Sequence, residues 1–519
     1  MKKKNSQILN KEKNQTLNNS LKLIAKSSFV IFIFIIISKI LTLGYRIIIS
    51  GIGPEEYGLF SLAVMVSGWM IAFASLGLPM GLIRYISYYR GKKQDNKISY
   101  LIRISLGLSI ISSIFAGILL FILAEFISIS IFKKPDLIIY LRGFSLVIPL
   151  TILSGIFLST IQAFEKVKSY SFIRNVLDTG IKLIVLVSLI WIGFTNRAVI
   201  FSYIFGMFVV LLVSYYIYKN KISNLFKKYS LDIKNKKKIT KKLFSYSWPL
   251  IFTGLIAFIF SWIDLFAIGY FIEDVAQVGI YSAAVPLAAL MAIAPSLFIQ
   301  LFFPLITKEF AKKDNKVIKE MSKQVGKWIF IINLPFLILI LLFPGAIINL
   351  FFKPEYLAAI NSLRFLSLGM FFYSIFIISE NLLSMAGKTK IVLLNVIMAS
   401  IINLILNFLL VPKYGIEGAA FATMITYISW SLFSLIQAQY HTKIIPIKRK
   451  MLLIALISII PTLVLVYVKQ FIQISRITLI LQVFMFSLFY VLLIFLTKGL
   501  DKNDLMILSA IKRKIEQVV

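Results

Sequence analysis

The sequence predicts an all-α polytopic membrane protein. Hydrophobic residues make up 59% of the 519 positions and the mean hydropathy is +0.90, whereas soluble globular proteins are ~45–50% apolar. Apolar runs of about 20 residues, long enough to cross a bilayer as helices, recur along the whole chain. Short sequence matches also recur between its two halves. Together these observations predict two homologous six-helix bundles followed by two further transmembrane helices.

Fourteen apolar runs have the length of a membrane span. They lie near residues 27–49, 57–80, 104–127, 140–162, 170–192, 198–218, 247–271, 277–303, 328–351, 358–385, 391–411, 417–438, 451–468 and 478–497. The N-terminal segment and every second connection hold 44 of the 56 basic residues, and the intervening connections hold 8. Because basic connections stay on the cytoplasmic side, we expect a cell-membrane protein with both termini in the cytoplasm.

A duplication relates the two halves. Tyr57–Ala63 (YGLFSLA) matches Val278–Ala284 (VGIYSAA), and Leu141–Leu146 matches Leu363–Leu368 in its Leu-Arg and Ser-Leu pairs. An interval of about 221 residues covers six spans, so both halves insert with the same orientation. The pseudo-two-fold axis between them is therefore predicted to run along the membrane normal.

The spans and the repeat divide the chain into six predicted segments. These are a cytoplasmic tail (1–26), the first six-helix bundle (27–218), a basic linker (219–246), the second bundle (247–438), transmembrane helices 13 and 14 (439–497), and a cytoplasmic C-terminal tail (498–519). The ten lysines of the linker are typical of a solvated connection that fixes topology, and they also suit attraction to anionic lipids.

Composition excludes several function classes. The net charge is +35, but the basic residues are dispersed in short clusters between apolar runs, which argues against nucleic-acid binding. The absence of cysteine and the single histidine leave no thiol catalysis and no metal or cofactor site to predict. The chain also lacks a nucleotide-binding loop. The outward connections are too short for a catalytic domain.

Charges inside the spans are the candidate site residues, because each one is costly in the bilayer and needs a partner or a water-filled cavity. Lys39 and Arg46 of the first span are seven positions apart and lie on one helix face. Asp264 of the seventh span aligns with a position close to Arg46, so the two can pair across the pseudo-two-fold axis. This pair is either a charged element of a central cavity or a structural salt bridge.

The fifth span carries Arg174, Asp178 and Lys182 at successive intervals of four, which places them in one stripe. Asp178 can neutralise either neighbour, leaving one cation in excess. That excess cation either meets an anionic substrate or, for Arg174, extends toward the membrane surface.

The tenth span carries two further charges. Arg364 lies near its outer end, at the position that matches Arg142 in the repeat, and suits either interfacial anchoring or an anionic substrate. Glu380 lies well inside the span, where a carboxylate either binds H⁺ or Na⁺ or is a hydrogen-bonded structural group.

Four short motifs identify a family. They are Gly53–Phe60 (GPEEYGLF), Leu76–Pro79 (LGLP), Trp262–Asp264 (WID) and Gly387–Lys390 (GKTK). With the six-plus-six-plus-two plan, they make nearly the whole chain resemble the polysaccharide biosynthesis flippases, within the superfamily that also holds the multidrug and toxic compound extrusion transporters. The resemblance implies the fold of those transporters, alternating between inward-open and outward-open V shapes.

The resemblance also implies a function. The expected substrate is a polyprenyl-diphosphate-linked oligosaccharide, moved from the cytoplasmic to the outer leaflet for cell-surface glycan assembly. Membrane lipids, a coupling H⁺ or Na⁺, and a glycan polymerase or glycosyltransferase are the expected partners. The diphosphate needs a cationic cavity, for which Lys39, Arg46, Lys182, Arg174 and Arg364 are the candidates.

Two alternatives remain open. A cation-coupled multidrug antiporter of the same fold would need an acidic cavity, whereas cations equal or outnumber acids among the intramembrane charges here. A membrane-embedded glycosyltransferase or polymerase would normally carry a large outward loop with catalytic residues. We therefore expect a transporter and not an enzyme.

Overall fold

The computed structural model describes residues 33–194, 197–222, 233–296, 298–299, 315–471, 475–497 and 499. Within these residues the regular elements are all helical, which confirms the predicted all-α membrane class. The chain divides into two compact units, Met1–Gly279 and Ile280–Val519. The predicted tails at 1–26 and 498–519 lie outside the described residues, apart from residue 499.

Eleven α-helices precede the unit boundary or cross it. They are α1 (Ile33–Ile52), α2 (Pro54–Ala74), α3 (Leu78–Gly91), α4 (Asp95–Phe126), α5 (Leu137–Ser145), α6 (Val147–Ala163), α7 (Val167–Phe172), α8 (Asp178–Trp191), α9 (Ala198–Lys221), α10 (Ile233–Phe271) and α11 (Val275–Ala288). Two π-helical turns, Ile127–Ile131 and Ile173–Leu177, follow α4 and α7.

After α11, residues 293–296 and 298–299 are also helical, and six further α-helices follow in the described residues. They are α12 (Asn315–Leu342), α13 (Pro344–Phe351), α14 (Ile360–Met385), α15 (Thr389–Thr442), α16 (Arg449–Phe471) and α17 (Arg476–Leu496). Two 3₁₀ turns, Ala289–Ala292 and Pro354–Ala359, come after α11 and before α14.

The GPEEYGLF and LGLP motifs mark the two ends of α2. Pro54 occupies the first turn, where its missing N–H is not needed, and Glu55 and Glu56 complement the helix dipole there. After α2 ends, Leu76 (φ 52°) and Gly77 (φ 63°) both adopt the left-handed conformation. The chain therefore turns sharply before α3 begins.

Glycines let α2 and α3 approach α10 and the start of α11 closely in the first unit. A Cβ on Gly77 would overlap the carbonyl oxygen of Ser247, and one on Gly68 would overlap the ring of Phe258. At the other end, a Cβ on Gly58 would overlap the carbonyl oxygen of Val275. Small residues at such positions allow helix backbones in membranes to pack in direct contact.

Lys134, in the connection before α5, holds the C-terminal end of α10. Its ammonium donates to the carbonyls of Gly269 at 2.7 Å, Ile272 at 2.8 Å and Phe132 at 3.1 Å. Cations favour helix C-termini because the last carbonyls lack intrahelical partners. Burial lowers the pKa of Lys134 to about 8, although Asp274 and Glu273 oppose the shift.

Part of the predicted basic linker is helical. The helix α10 begins at Ile233 and continues without interruption into the predicted seventh span. Ile239 and Leu243 are buried against a cluster that includes Leu82 and Ile102, while Lys241 and Lys242 are exposed. Apolar residues spaced four apart thus attach this segment to the first unit.

Twelve helices of the described chain are long and apolar enough to cross a membrane, against fourteen predicted. The fifth predicted span is divided into α7 and α8 by the π-helical turn Ile173–Leu177. The eleventh and twelfth form one element, α15, which breaks at Gly415 (φ 58°).

The two parts of α15 fold back against each other in the second unit. Asn395 and Gln437 exchange amide hydrogen bonds of 2.6 and 3.0 Å, and Asn403 donates to Thr423 at 2.9 Å. Both pairs are nearly symmetric about Gly415, so α15 is a helical hairpin stabilised by buried polar contacts.

Candidate functional site

The most enclosed charge among the predicted site residues is Lys182 on α8. Lys182 is only 5% exposed. Its Nζ lies 2.7 Å from Oδ1 of Asp178. The π-helical turn Ile173–Leu177 ends directly before Asp178. A buried ammonium needs such a carboxylate, because an unpaired charge in this environment carries a large desolvation cost.

The helix α9 completes the surroundings of Lys182. Its Nζ lies 3.7 Å from the ring centroid of Tyr203, a favourable cation–π distance. One turn further along α9, Gly206 makes room for the lysine, since a Cβ there would overlap Cγ of Lys182. Neither Tyr203 nor Gly206 was predicted, although their spacing of three places both on one face of α9.

Tyr203 also belongs to an aromatic cluster that connects α9 with α2 and α5. Its ring centroid lies 4.9 Å from that of Phe144 and 5.9 Å from that of Phe60. Offset aromatic contacts of this kind hold ring planes in fixed orientations. The face that Tyr203 presents to Lys182 is therefore set by residues of α2 and α5.

The helix α1, which carries Lys39 and Arg46, packs against this cluster through Tyr45, whose ring centroid lies 6.0 Å from that of Phe60. Buried Tyr45 exchanges a hydrogen bond of 3.1 Å with Ser202 of α9. Gly44 lies close to Leu183 of α8, because a Cβ on the glycine would lie 3.3 Å from the leucine Cδ1. Arg46 follows Tyr45 directly in α1 and is half-buried.

The guanidinium of Arg46 donates to the hydroxyl of Tyr57 at 3.5 Å. This long bond uses one of five N–H donors on the group. Lys39, seven positions earlier on α1, is exposed. Asp264 is half-buried on α10 in the same unit, and its predicted pairing with Arg46 stays a prediction.

The stripe on the predicted fifth span has a definite pairing. Asp178 contacts Lys182, the cation of the following turn, and Arg174 is exposed within the π-helical turn. Of the two cations that flank Asp178, the one in excess is therefore Arg174.

The second unit holds the remaining predicted residues, Arg364 and Glu380, on α14. Half-buried Arg364 donates to the carbonyl of Leu341 at 3.3 Å and to Oδ1 of Asn361 at 3.1 Å. Asn361 in turn donates to Glu417 at 2.9 Å. Arg364 is thus held in a hydrogen-bonded network that joins α12, α14 and α15.

Glu380 lies half-buried in a region of aromatic side chains. It is close enough to Tyr373, two turns earlier on α14, to interact electrostatically. The ring of Tyr373 packs 5.0 Å from Tyr427 and 5.1 Å from Trp430. A carboxyl group in such surroundings is suited to bind a proton or a small cation.

The described helices carry polar clusters and apolar grooves at separate places. Among the described residues no cluster of three His, Cys, Asp or Glu side chains is placed to hold a metal ion. Two grooves of ≈ 480 and ≈ 570 Å³ on the described helices are lined by apolar side chains, including Leu465 and Phe486 in the first and Leu189 and Phe205 in the second. These grooves suit hydrocarbon chains, whereas the polar clusters suit charged groups.

Curated relatives match three quarters or more of the chain. A putative O-antigen transporter of Shigella flexneri is 26% identical, with coverage of 75% of this chain and 89% of the relative. The lipid II flippase MurJ of Bacillus subtilis is 23% identical, with coverage of 84% and 86%. An uncharacterized membrane protein of Methanocaldococcus jannaschii is 26% identical, with coverage of 84% and 87%.

Solved structures show the same fold. A lipid II flippase MurJ in an inward closed conformation superposes with a TM-score of 0.70 at 19% identity, covering 91% of this chain and 97% of the other. An inward-facing multidrug resistance transporter of the MATE family gives a TM-score of 0.63 at 15% identity, with coverage of 80% and 98%. These likenesses confirm the predicted extrusion-transporter fold.

Two family models match the chain itself. The model described as MatE matches residues 249–409. The model described as polysaccharide biosynthesis protein matches residues 24–310, which is more than half of the sequence. The chain is therefore a member of the polysaccharide biosynthesis protein family.

Proposed function

We propose that the protein is a flippase, which moves a polyprenyl-diphosphate-linked oligosaccharide from the cytoplasmic to the outer leaflet. The observation that carries this proposal is that three relatives are named as transporters or flippases, and two of them cover at least 75% of the chain. They are the O-antigen transporter, the lipid II flippase, and a probable glycan biosynthesis flippase of Haloferax volcanii that matches 49% of the chain at 25% identity.

The distribution of charge on the first unit supports an anionic substrate. Lys182 is already compensated by Asp178, so we assign it the role of holding α8 and α9 together beside the site. Arg46, half-buried with a long bond to Tyr57, is the cation best placed to receive a phosphate inside the membrane. Exposed Lys39 and Arg174 are proposed as further phosphate contacts along the path.

The roles proposed in the second unit differ. Arg364 is restrained by Asn361 and the carbonyl of Leu341, so a substrate contact would replace existing hydrogen bonds. Glu380 is proposed as the site of H⁺ or Na⁺ coupling, and Asp264 as a partner of the cations on α1. We further propose cytoplasmic termini, and a polymerase or glycosyltransferase that supplies or uses the substrate.

The test is a translocation assay with purified protein in liposomes. A fluorescent polyprenyl-diphosphate sugar is incorporated, and the fraction accessible to an external quencher is followed over time. A flippase exposes the label at a rate proportional to the amount of protein, and protein-free liposomes show the background. A chain that leaves the label at the background rate is not a flippase for this class of lipid.

A second candidate function is cation-coupled drug export, which the MatE match at residues 249–409 and half-buried Glu380 favour. The same liposomes distinguish it. An antiporter takes up a cationic dye when a proton or sodium gradient is imposed, and it does not move the lipid-linked sugar. We place this function second, because the carboxylate of Asp178 is occupied by Lys182 in the first unit.

A further inference from the structure

An arginine outside the intramembrane cluster is held in a defined orientation where α3 passes the first part of α10. The Cζ of Arg84 lies 4.1 Å from the ring centroid of Tyr246 and 5.8 Å from that of Tyr85. Tyr85 fixes the two helices together by donating to the carbonyl of Lys242 at 3.1 Å. Arg84 is exposed, although the neighbouring rings restrain its guanidinium.

On both α3 and α10, the exposed residues change from apolar to basic near Arg84. One turn before Arg84 on α3, Met80 is 61% exposed, and on α10 the exposed Trp248 and Phe252 pack ring against ring. Beyond Arg84 the exposed residues include Lys242. Exposed apolar side chains, a tryptophan and then lysines are the order found where a helix leaves the hydrocarbon and reaches lipid head groups.

Tyr88 lies one turn after Arg84 on the same face of α3 and is exposed. Further cations lie close to it. The ammonium of Lys92 lies 4.6 Å from its ring centroid. The pKa of the Tyr88 phenol is lowered, first by a hydrogen bond from Lys92 and then by the charges of Lys242 and Lys97. Three lysines from three elements therefore act on one position, a single turn from Arg84.

In the part of the chain that the structure describes, no ion pair joins an acidic side chain to Arg84, Lys92 or Lys242. The carboxylate of Glu165 lies 3.3 Å from the guanidinium of Arg90, in the last turn of α3. Asp95 lies in the first turn of α4, where the helix dipole stabilises it. The surface formed by Arg84, Tyr88, Lys92 and Lys242, which we call the α3–α10 basic surface, thus has a net positive charge.

We propose that the α3–α10 basic surface binds the phosphate group of a membrane lipid, with Arg84 as the direct ligand. A guanidinium offers paired N–H donors that match phosphate oxygens. Tyr246 covers its face and leaves the N–H edges available. Because the stacked side chain is already oriented, less conformational entropy is lost when the phosphate binds.

Two lipids supply this chemistry at this depth. One is an ordinary anionic phospholipid, which carries a single phosphodiester, and the other is a polyprenyl diphosphate, which carries two phosphates on a longer hydrocarbon chain. The inference does not depend on the proposed function, since a phosphate at this surface is bound whether or not the lipid is then moved. If the polyprenyl diphosphate is preferred, the surface is a docking position before translocation.

The test is native mass spectrometry of the detergent-purified protein, titrated separately with phosphatidylglycerol, phosphatidylcholine and undecaprenyl diphosphate. Arg84→Gln is expected to weaken retention of the preferred phosphate lipid about tenfold, as expected for loss of a charge-assisted contact. Tyr246→Leu is expected to give a smaller loss, because it keeps the cation and removes only its orientation. Arg103→Gln, which removes an exposed arginine of α4, is the matched control and is expected to bind like the wild type.

Comparing undecaprenyl diphosphate with phosphatidylglycerol shows which lipid the surface prefers. A loss for undecaprenyl diphosphate alone assigns the surface to the carrier lipid, and an equal loss for phosphatidylglycerol assigns it to phosphate lipids in general. Unchanged retention of both lipids by Arg84→Gln contradicts the proposal. An equal loss in Arg103→Gln also contradicts it, because the binding would then reflect diffuse charge. Matching thermal melting curves establish that each variant is folded.

Discussion

Gly58 and Gly279, which occupy equivalent positions in the sequence repeat, lie directly against each other. A Cβ placed on Gly279 would lie 3.0 Å from the backbone nitrogen of Gly58 and would overlap the carbonyl oxygen of Pro54. A Cβ on Gly58 would lie 3.2 Å from the backbone nitrogen of Gly279. The repeat thus places the same small residue on both sides of one backbone contact.

Gly58→Ala is expected to destabilise the protein by about 1–3 kcal/mol, the usual cost of forcing extra atoms into a packed contact. The obstacle is the carbonyl oxygen of Val275, which is backbone and cannot rotate away. Thermal unfolding in detergent measures the effect. Gly107→Ala on α4 is the control, because a Cβ there meets nothing within 4 Å. A Gly58→Ala variant as stable as this control would show that the contact is not tight.

Much of the helix pattern follows from the length and hydropathy of the apolar runs. The predicted span near 198–218 coincides with α9 (Ala198–Lys221) and that near 451–468 with α16 (Arg449–Phe471). Length and hydropathy determine such elements, because a helix of about 20 apolar residues satisfies its backbone within the bilayer. The break of α15 at Gly415 falls between the predicted spans 391–411 and 417–438.

The interior of the fifth predicted span was not predictable in the same way. Its composition is that of a continuous helix, and the π-helical turn Ile173–Leu177 depends on packing against other helices. Packing against other helices also decides that Asp178 pairs with Lys182 and not with Arg174. Both cations are four positions from the acid, and only Lys182 has Tyr203 and Gly206 of α9 to enclose it.

Asp178→Asn is expected to cost about 3–5 kcal/mol, because it leaves the ammonium of Lys182 buried without its counter-ion. Adding Lys182→Met to this variant is expected to restore much of the loss, since the unpaired charge is then removed. Chemical unfolding of both variants in detergent measures the difference.

Glu125→Gln is the matched control for that pair. Glu125 lies 3.7 Å from Arg142 in an ion pair whose side chains are 64% and 45% exposed. Exposed pairs contribute only ~0–1 kcal/mol. If Asp178→Asn costs no more than Glu125→Gln, the Lys182–Asp178 pair does not hold α8 in place.

The stability contributed by Lys134 is expected to depend on pH. The folded-state pKa is about 8, below the ordinary value of 10.5. Between these pH values the unfolded chain keeps a proton that the folded chain has released, so the unfolding free energy rises with pH. The melting-temperature advantage of the wild type over Lys134→Met should therefore be larger at pH 9.5 than at pH 7.

Lys133→Met provides the comparison for this effect, because Lys133 is the exposed neighbour in the same connection. The difference between wild type and Lys133→Met should not change over the same pH range. An advantage of Lys134 that falls as pH rises would mean that its charged form is the one favoured by folding.

Glu380→Gln is expected to remove any dependence of translocation on a proton or sodium gradient while keeping protein-dependent movement of the lipid. The amide has nearly the same shape as the carboxyl group and cannot bind either ion as a carboxylate does. Translocation rates with and without an imposed gradient measure this. A gradient effect of full size in Glu380→Gln would assign coupling to another residue.

Flippase activity and the role of Arg46 are tested most directly by the rate at which a fluorescent polyprenyl-diphosphate sugar crosses the bilayer of liposomes that contain wild type, Arg46→Ala or Arg103→Gln. We expect rapid movement with the wild type and with Arg103→Gln. Movement with Arg46→Ala is expected to be at least about tenfold slower, because a charge-assisted phosphate contact is lost. Circular dichroism and melting curves establish that the three proteins are equally folded. Movement at the wild-type rate in Arg46→Ala would contradict the cationic site, and no movement with any of the three would contradict the flippase itself.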